Sequence, residues 1–97
     1  MAGVKEEAGS ELARDFTAGL NPVHGRSVVR FTLGRETRVS LRVHDAAGRL
    51  VAELADGTLA AGEHTRTWNA AGVPAGVYYC TLSADGRSET RPLVITR

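Results

Sequence analysis

The stretch TRVSLRVHDAAGRLVAEL, residues 37–54, decides the fold. Its first nine residues alternate without a break. Val39, Leu41 and Val43 fall on one side of an extended chain, and Arg38, Ser40, Arg42 and His44 on the other. A period of two marks a β-strand with one face toward a core and one toward water. Residues 45–48, Asp-Ala-Ala-Gly, then read as a hairpin turn, because Gly48 can take a positive φ without a Cβ penalty. Arg49 to Ala55 returns as a second strand, with Leu50, Ala52 and Leu54 on one face.

The same texture extends outward in both directions. Downstream, Asp56-Gly57 is a further turn signal, and Gly62 precedes a strand from Glu63 to Asn69 whose largest apolar side chain is Trp68. Residues 70–76, with Pro74, form a loop. Val77 to Ala84 is a strand, Asp85-Gly86 a turn, and Arg87 to Thr96 the closing strand, with Pro92 at an edge or near the start of its final stretch. Upstream, Arg26 to Gly34 is a strand with Val29, Phe31 and Leu33 on one face. Asn21-Pro22 breaks the ladder before it, since proline has no N–H to donate. A short segment from Asp15 to Ala18, anchored by Phe16, comes first. The count is about seven strands with no helical period of 3.6 beyond one turn. This pattern predicts an all-β antiparallel β-sandwich, immunoglobulin-like or fibronectin-III-like.

Length and composition agree. Ninety-seven residues are one domain's worth, and an apolar fraction of 42% with 24% charged is ordinary for a globular chain. Residues 13–97 are assigned to the sandwich. Residues 1–12 are small and charged and read as a flexible linker, or as a short helical turn around Glu6 to Leu12. The formal net charge is only +1. Eleven of the twelve basic residues are Arg, spread among acidic residues, which reads as a mixed-charge solvated surface and argues against a nucleic-acid partner. The single Cys80 excludes an internal disulfide. No apolar run approaches the ~18 residues that span a membrane as a helix. Residues 1–10 lack the apolar stretch of a signal peptide, so an exported protein would carry its signal upstream.

Few residues carry chemistry. His24, His44 and His64 have no cysteine or carboxylate cluster to join them, and His44 and His64 fall on different faces, so a zinc site is not expected. Cys80 sits mid-strand beside Tyr78 and Leu82 by parity and reads as a buried apolar thiol. Asp45, Asp56 and Asp85 each occupy a predicted turn, where aspartate has a structural use. The glycine spacing fits no phosphate-binding loop. Of five aromatic residues, Phe16, Phe31, Trp68 and Tyr78 take core positions, which leaves Tyr79 alone outside and no aromatic platform for a sugar. No catalytic, cofactor-binding or metal residue and no small-molecule substrate is expected. Arg66 is a local conflict, because parity sets it on the Trp68 face. It either lies at a sheet edge, snorkelling out or guarding that edge, or forms a buried pair with an acid.

The order of segments is more telling than any one of them: Asn21-Pro22, then RSVVRFTL, LRVHDAAGRLVAEL, AAGEHTRTW, PAGVYYCTLSADG and TRPLVITR. Over Phe16 to Arg97 this resembles the C-terminal sorting domain of proteins exported by the type IX secretion system. It is also similar to the immunoglobulin-like domain of the flagellar hook-capping protein. The matching positions are Asn21 and Pro22; Asp45, Gly48 and Arg49 in an Asp-x-x-Gly-Arg turn; Gly62, His64 and Trp68; Gly76, Val77 and Tyr78; and the terminal Arg97. Leu20 stands where the sorting family has a further proline, and His44 where it has an aromatic residue.

The resemblance implies a non-catalytic address label for an upstream cargo domain. The domain would pass through the periplasm to the cell surface or medium. Its partners would be an outer-membrane translocon and a sortase-like protease, with a cut near Ala8, Gly9 and Ser10. The final strand would be the recognised element, so that deleting Leu93 to Arg97 abolishes export. The alternative is a structural or adhesive module: a spacer, a filament subunit or a hook-cap assembly domain. A third reading, a carbohydrate-binding module, lacks the aromatic face it needs.

Overall fold

The computed structural model describes residues 14–23, 26–84 and 86–96. The predicted linker 1–12, with Ala8, Gly9 and Ser10, lies outside the described residues, as do His24, Asp85 and Arg97.

Seven strands follow in order: β1 (Arg14–Val23), β2 (Arg26–Leu33), β3 (Thr37–Asp45), β4 (Leu50–Leu59), β5 (Gly62–Asn69), β6 (Gly76–Ala84) and β7 (Arg87–Ile95). They form two antiparallel sheets, ordered β1-β2-β5 and β4-β3-β6-β7. The alternation read from residues 37–45 is present as predicted: Val39, Leu41 and Val43 are buried, with more exposed neighbours between them. The same parity holds in β2 and β6, so Val29, Phe31, Leu33, Cys80 and Leu82 meet in one core between the sheets.

Two predicted breaks are corrected. Asn21-Pro22 does not end a strand, because β1 runs through it to Val23. The ladder accommodates the proline by a shift in register: Leu20 pairs with Val28 and Val23 with Arg26, so β1 spends an extra residue there. β1 is also a sheet edge, where a missing N–H is tolerated. Asp56-Gly57 is likewise not a turn. β4 continues through it, with Asp56 opposite Ser40 and Gly57 opposite Val39, and ends at Leu59. Gly57 has φ +148°, a conformation that suits glycine and lets the strand carry on with its twist changed.

Register also fixes where the chain runs. Arg14, Leu33, Thr37, Gly62 and Ala84 gather at one pole of the sandwich. Asp45, Asn69, Gly76 and Ile95 gather at the other. The first described strand therefore starts at one pole and the last ends at the opposite one. β1 and β7 lie against each other across the open side of the sandwich. There the Arg91 guanidinium sits 5.0 Å above the ring of Phe16. Arg66 is on β5, an edge strand, opposite Val29. Its guanidinium donates to the Thr65 carbonyl at 3.0 Å, in line with the edge reading.

Candidate functional site

The turn after β3 is built by its own residues. Asp45 Oδ1 accepts from the backbone N–H of Ala47 and of Arg49, both at 2.9 Å. Its Oδ2 accepts from Arg49 Nε at 2.9 Å. Gly48 donates its N–H to the Asp45 carbonyl and takes φ +87°, which a side chain would strain. Hydrogen bonding by the Arg49 N–H, with that of Ala47 and the arginine's charge, holds the Asp45 carboxyl below its ordinary range. The Asp-x-x-Gly-Arg motif is thus a closed turn, with each of its three residues used.

Tyr78 sits beside it, opposite Asp45 in the β3–β6 ladder. Its ring is buried edge-on against Trp68, with centroids 5.2 Å apart at 70°. Its hydroxyl donates to the Pro74 carbonyl at 2.6 Å, four residues upstream. A tyrosine near the start of a strand that ties back to the preceding connection in this way is the tyrosine corner of Greek-key sandwiches. Gly76 (φ +153°) opens the strand, and Val77 is the motif residue whose side chain faces outward.

The structure gathers Asp45, Gly48, Arg49, Gly76, Val77 and Tyr78 at one pole. Asn21 and Pro22 lie in the part of β1 that runs toward this pole; their side chains lie outside the described residues. Gly62 is at the other pole, opposite Leu33, at the start of β5. His64 lies between the poles, stacked on Phe31 at 5.4 Å and 27°, with Nε2 donating to the Ala60 carbonyl. His44 is on the other sheet, between Leu50 and Tyr79. Among the described residues no three His, Cys, Asp or Glu side chains group as metal ligands do. Cys80 is fully buried, and that burial pushes its thiol up to about 12, so the reactive thiolate is suppressed.

Parity arguments alone did not reveal the outer face of the four-stranded sheet. Reading across β4, β3, β6 and β7, one row is Leu50, His44, Tyr79 and Pro92. Val77 and Val94 pair just beyond it toward the same pole. Among the described residues, Leu50, Val77, Tyr79 and Val94 are the large apolar side chains that remain exposed, at 58, 43, 40 and 51%. All four lie on this face at one end. Toward the other end it becomes hydroxyl-rich. Thr81 and Thr90 bond each other at 2.9 Å, and Ser40, Ser83 and Ser88 floor a shallow groove of about 540 Å³ beside Arg38 and Asp56. The register shift between Val43 and His44 hid this row from sequence: Ala52 pairs with inward Val43 and Leu50 with His44, so Leu50 turns outward although simple alternation groups it with Ala52 and Leu54.

Three strands against four, with a tyrosine corner closing the seam between them, define an immunoglobulin-like sandwich. Comparison with known families narrows this. The FlgD Ig-like domain family matches residues 23–88, about two-thirds of the chain, and the chain belongs to that family. The match spans all of β2 to β6, and the family is one of structural, non-catalytic domains. No curated protein matches the chain.

Proposed function

We propose that this domain is a structural module of an exported protein, a spacer or assembly domain of the hook-cap kind, with no reaction of its own. The family match over β2–β6 carries the reading. FlgD-type domains occur in extracellular flagellar components, which accords with an exported protein. The motif residues support it: Asp45, Gly48 and Arg49 close their own turn and Tyr78 ties the corner, so each has a structural use. The partners of such a module are neighbouring protein domains, with no nucleic acid and no small-molecule substrate.

A second reading is a type IX sorting domain with an upstream cargo, read by the translocon and cut by a sortase-like protease. One observation favours it. The family match ends at Ser88, so nearly all of β7 lies beyond it, on a sheet edge with Val94 exposed. An edge strand is a surface that another chain can extend.

A secretion assay tests both readings. Residues 1–97 are fused to the C-terminus of a fluorescent protein carrying a periplasmic signal. The fusion is expressed in a type IX-competent host and in a translocon-null strain. Folded, uncleaved fusion in the periplasm of both is the result expected of a structural module. Surface or medium fluorescence in the competent host alone overturns it in favour of sorting, and Val94→Asp then tests β7. Deleting Leu93 to Arg97 would not serve, because Leu93 and Ile95 are core residues and the domain would unfold.

A further inference from the structure

We propose that the outer face of the four-stranded sheet is a self-complementary interface that pairs two copies of this chain about a two-fold axis. The axis runs along the strands between β3 and β6. The proposal deepens the structural-module reading by naming the module's partner.

The argument begins with the sheet order, β4-β3-β6-β7, which has two strands on each side of that axis. The outward charged positions of the β4–β3 half are Arg38, Arg42, Glu53 and Asp56, with His44 beside them. Among the described residues, the outward positions of the β6–β7 half are Val, Tyr, Thr, Ser and Pro, and its one charge at this face is Arg87, which borders the groove at the start of β7. A two-fold along the strands keeps each row and reverses its order. Apolar row therefore meets apolar row: Tyr79 of one copy lies over His44 of the other, and Pro92 over Leu50. In the next row Arg42 meets Thr81 and Glu53 meets Thr90. In the groove Asp56 meets Ser88 and Ser40 meets Ser83. In these rows no charge opposes a like charge, and Arg42, Glu53 and Asp56 each face a hydroxyl that can bond them. Arg42 with Glu53 (3.0 Å) and Arg38 with Asp56 (3.5 Å) are already neutral pairs, so a second copy adds no net repulsion.

Size sets the strength. With strands ~4.8 Å apart and ~3.4 Å per residue, the face is about 20 by 25 Å, or about 500 Å² on each partner. That is about 1,000 Å² in total, the lower bound for a specific interface, so the dimer is concentration-dependent. Sheets packed face to face in this way cross at about −30°. The apolar end supplies the desolvated patch, with Tyr79 as its anchor.

Sedimentation equilibrium of the full chain, from about 10 µM to about 1 mM, is the test. The expected result is a monomer–dimer equilibrium. Tyr79→Lys and Val77→Lys should each weaken it by about tenfold or more. Thr65→Lys, on the other sheet, should leave it unchanged. Tyr79 and Val77 are exposed, so circular dichroism and thermal melting of the variants should match wild type. A monomer throughout overturns the proposal, as do larger open-ended species or a dimer that Tyr79→Lys leaves intact. None of these results bears on the secretion assay, so failure of the interface and failure of the module reading remain distinguishable.

Discussion

Tyr78 does two things from one position: its ring fills the core beside Trp68, and its hydroxyl reaches out to hold the loop before β6. Tyr78→Phe separates them. The ring stays and the bond to Pro74 goes, for an expected loss of about 1 kcal/mol in urea unfolding with an unchanged m-value. A loss above about 3 kcal/mol would show that the ring is also displaced. Asp45 makes a second prediction. Its carboxyl titrates lower folded than unfolded, so the unfolded chain binds more protons in the acid range. Its contribution is complete above the ordinary carboxylate range and disappears as pH falls through the lowered value. Asp45→Asn should therefore lower the melting temperature at pH 7 and flatten its decline in acid. Equal slopes in wild type and variant would show that other carboxylates dominate.

At the scale of elements, β3 was legible because nothing in it competes: the period of two, the apolar face and the flanking turn all agree. β2 and β6 were read for the same reason, and with them most of the core. What escaped were places where a strand tolerates a residue that usually ends one. Pro22 is absorbed by a register shift at an edge, and Gly57 by a backbone angle that needs no side chain. Neither an edge nor a bulge can be seen in a single segment, because each depends on what pairs alongside. The outer apolar row escaped likewise, since it joins four strands that are distant in sequence. The motif residues were found but their use was not, because hydrogen bonds such as that from Tyr78 to Pro74 are decided by loop geometry. Gly57→Ala tests the reading of β4. A Cβ there meets nothing within 4 Å, so the whole cost is conformational, about 1 kcal/mol. A neutral result would mean that the strand relaxes to an ordinary angle at no cost.

The whole molecule closes where β1 meets β7. Phe16 is a buried residue of β1, and Arg91 covers its ring from β7. Phe16→Ala should remove about 3 kcal/mol or more by leaving a cavity between the sheets, while Phe16→Leu should recover most of it. Arg91→Ala should cost less than about 1 kcal/mol, because the guanidinium is partly exposed. Guanidinium unfolding followed by Trp68 fluorescence ranks all three. A Phe16→Ala effect as small as that of Arg91→Ala would mean that the seam is loosely packed.

The placement of β1 and β7 has a mechanical consequence. β1 starts at one pole and β7 ends at the other. A pull applied to these two ends runs along the strands, dragging β1 lengthwise past β2 and β7 lengthwise past β6. The rungs of each ladder are then loaded together and must fail together, whereas a pull across the strands would peel them one at a time. A domain threaded this way resists stretching as a rope splice does, by sharing tension along its length.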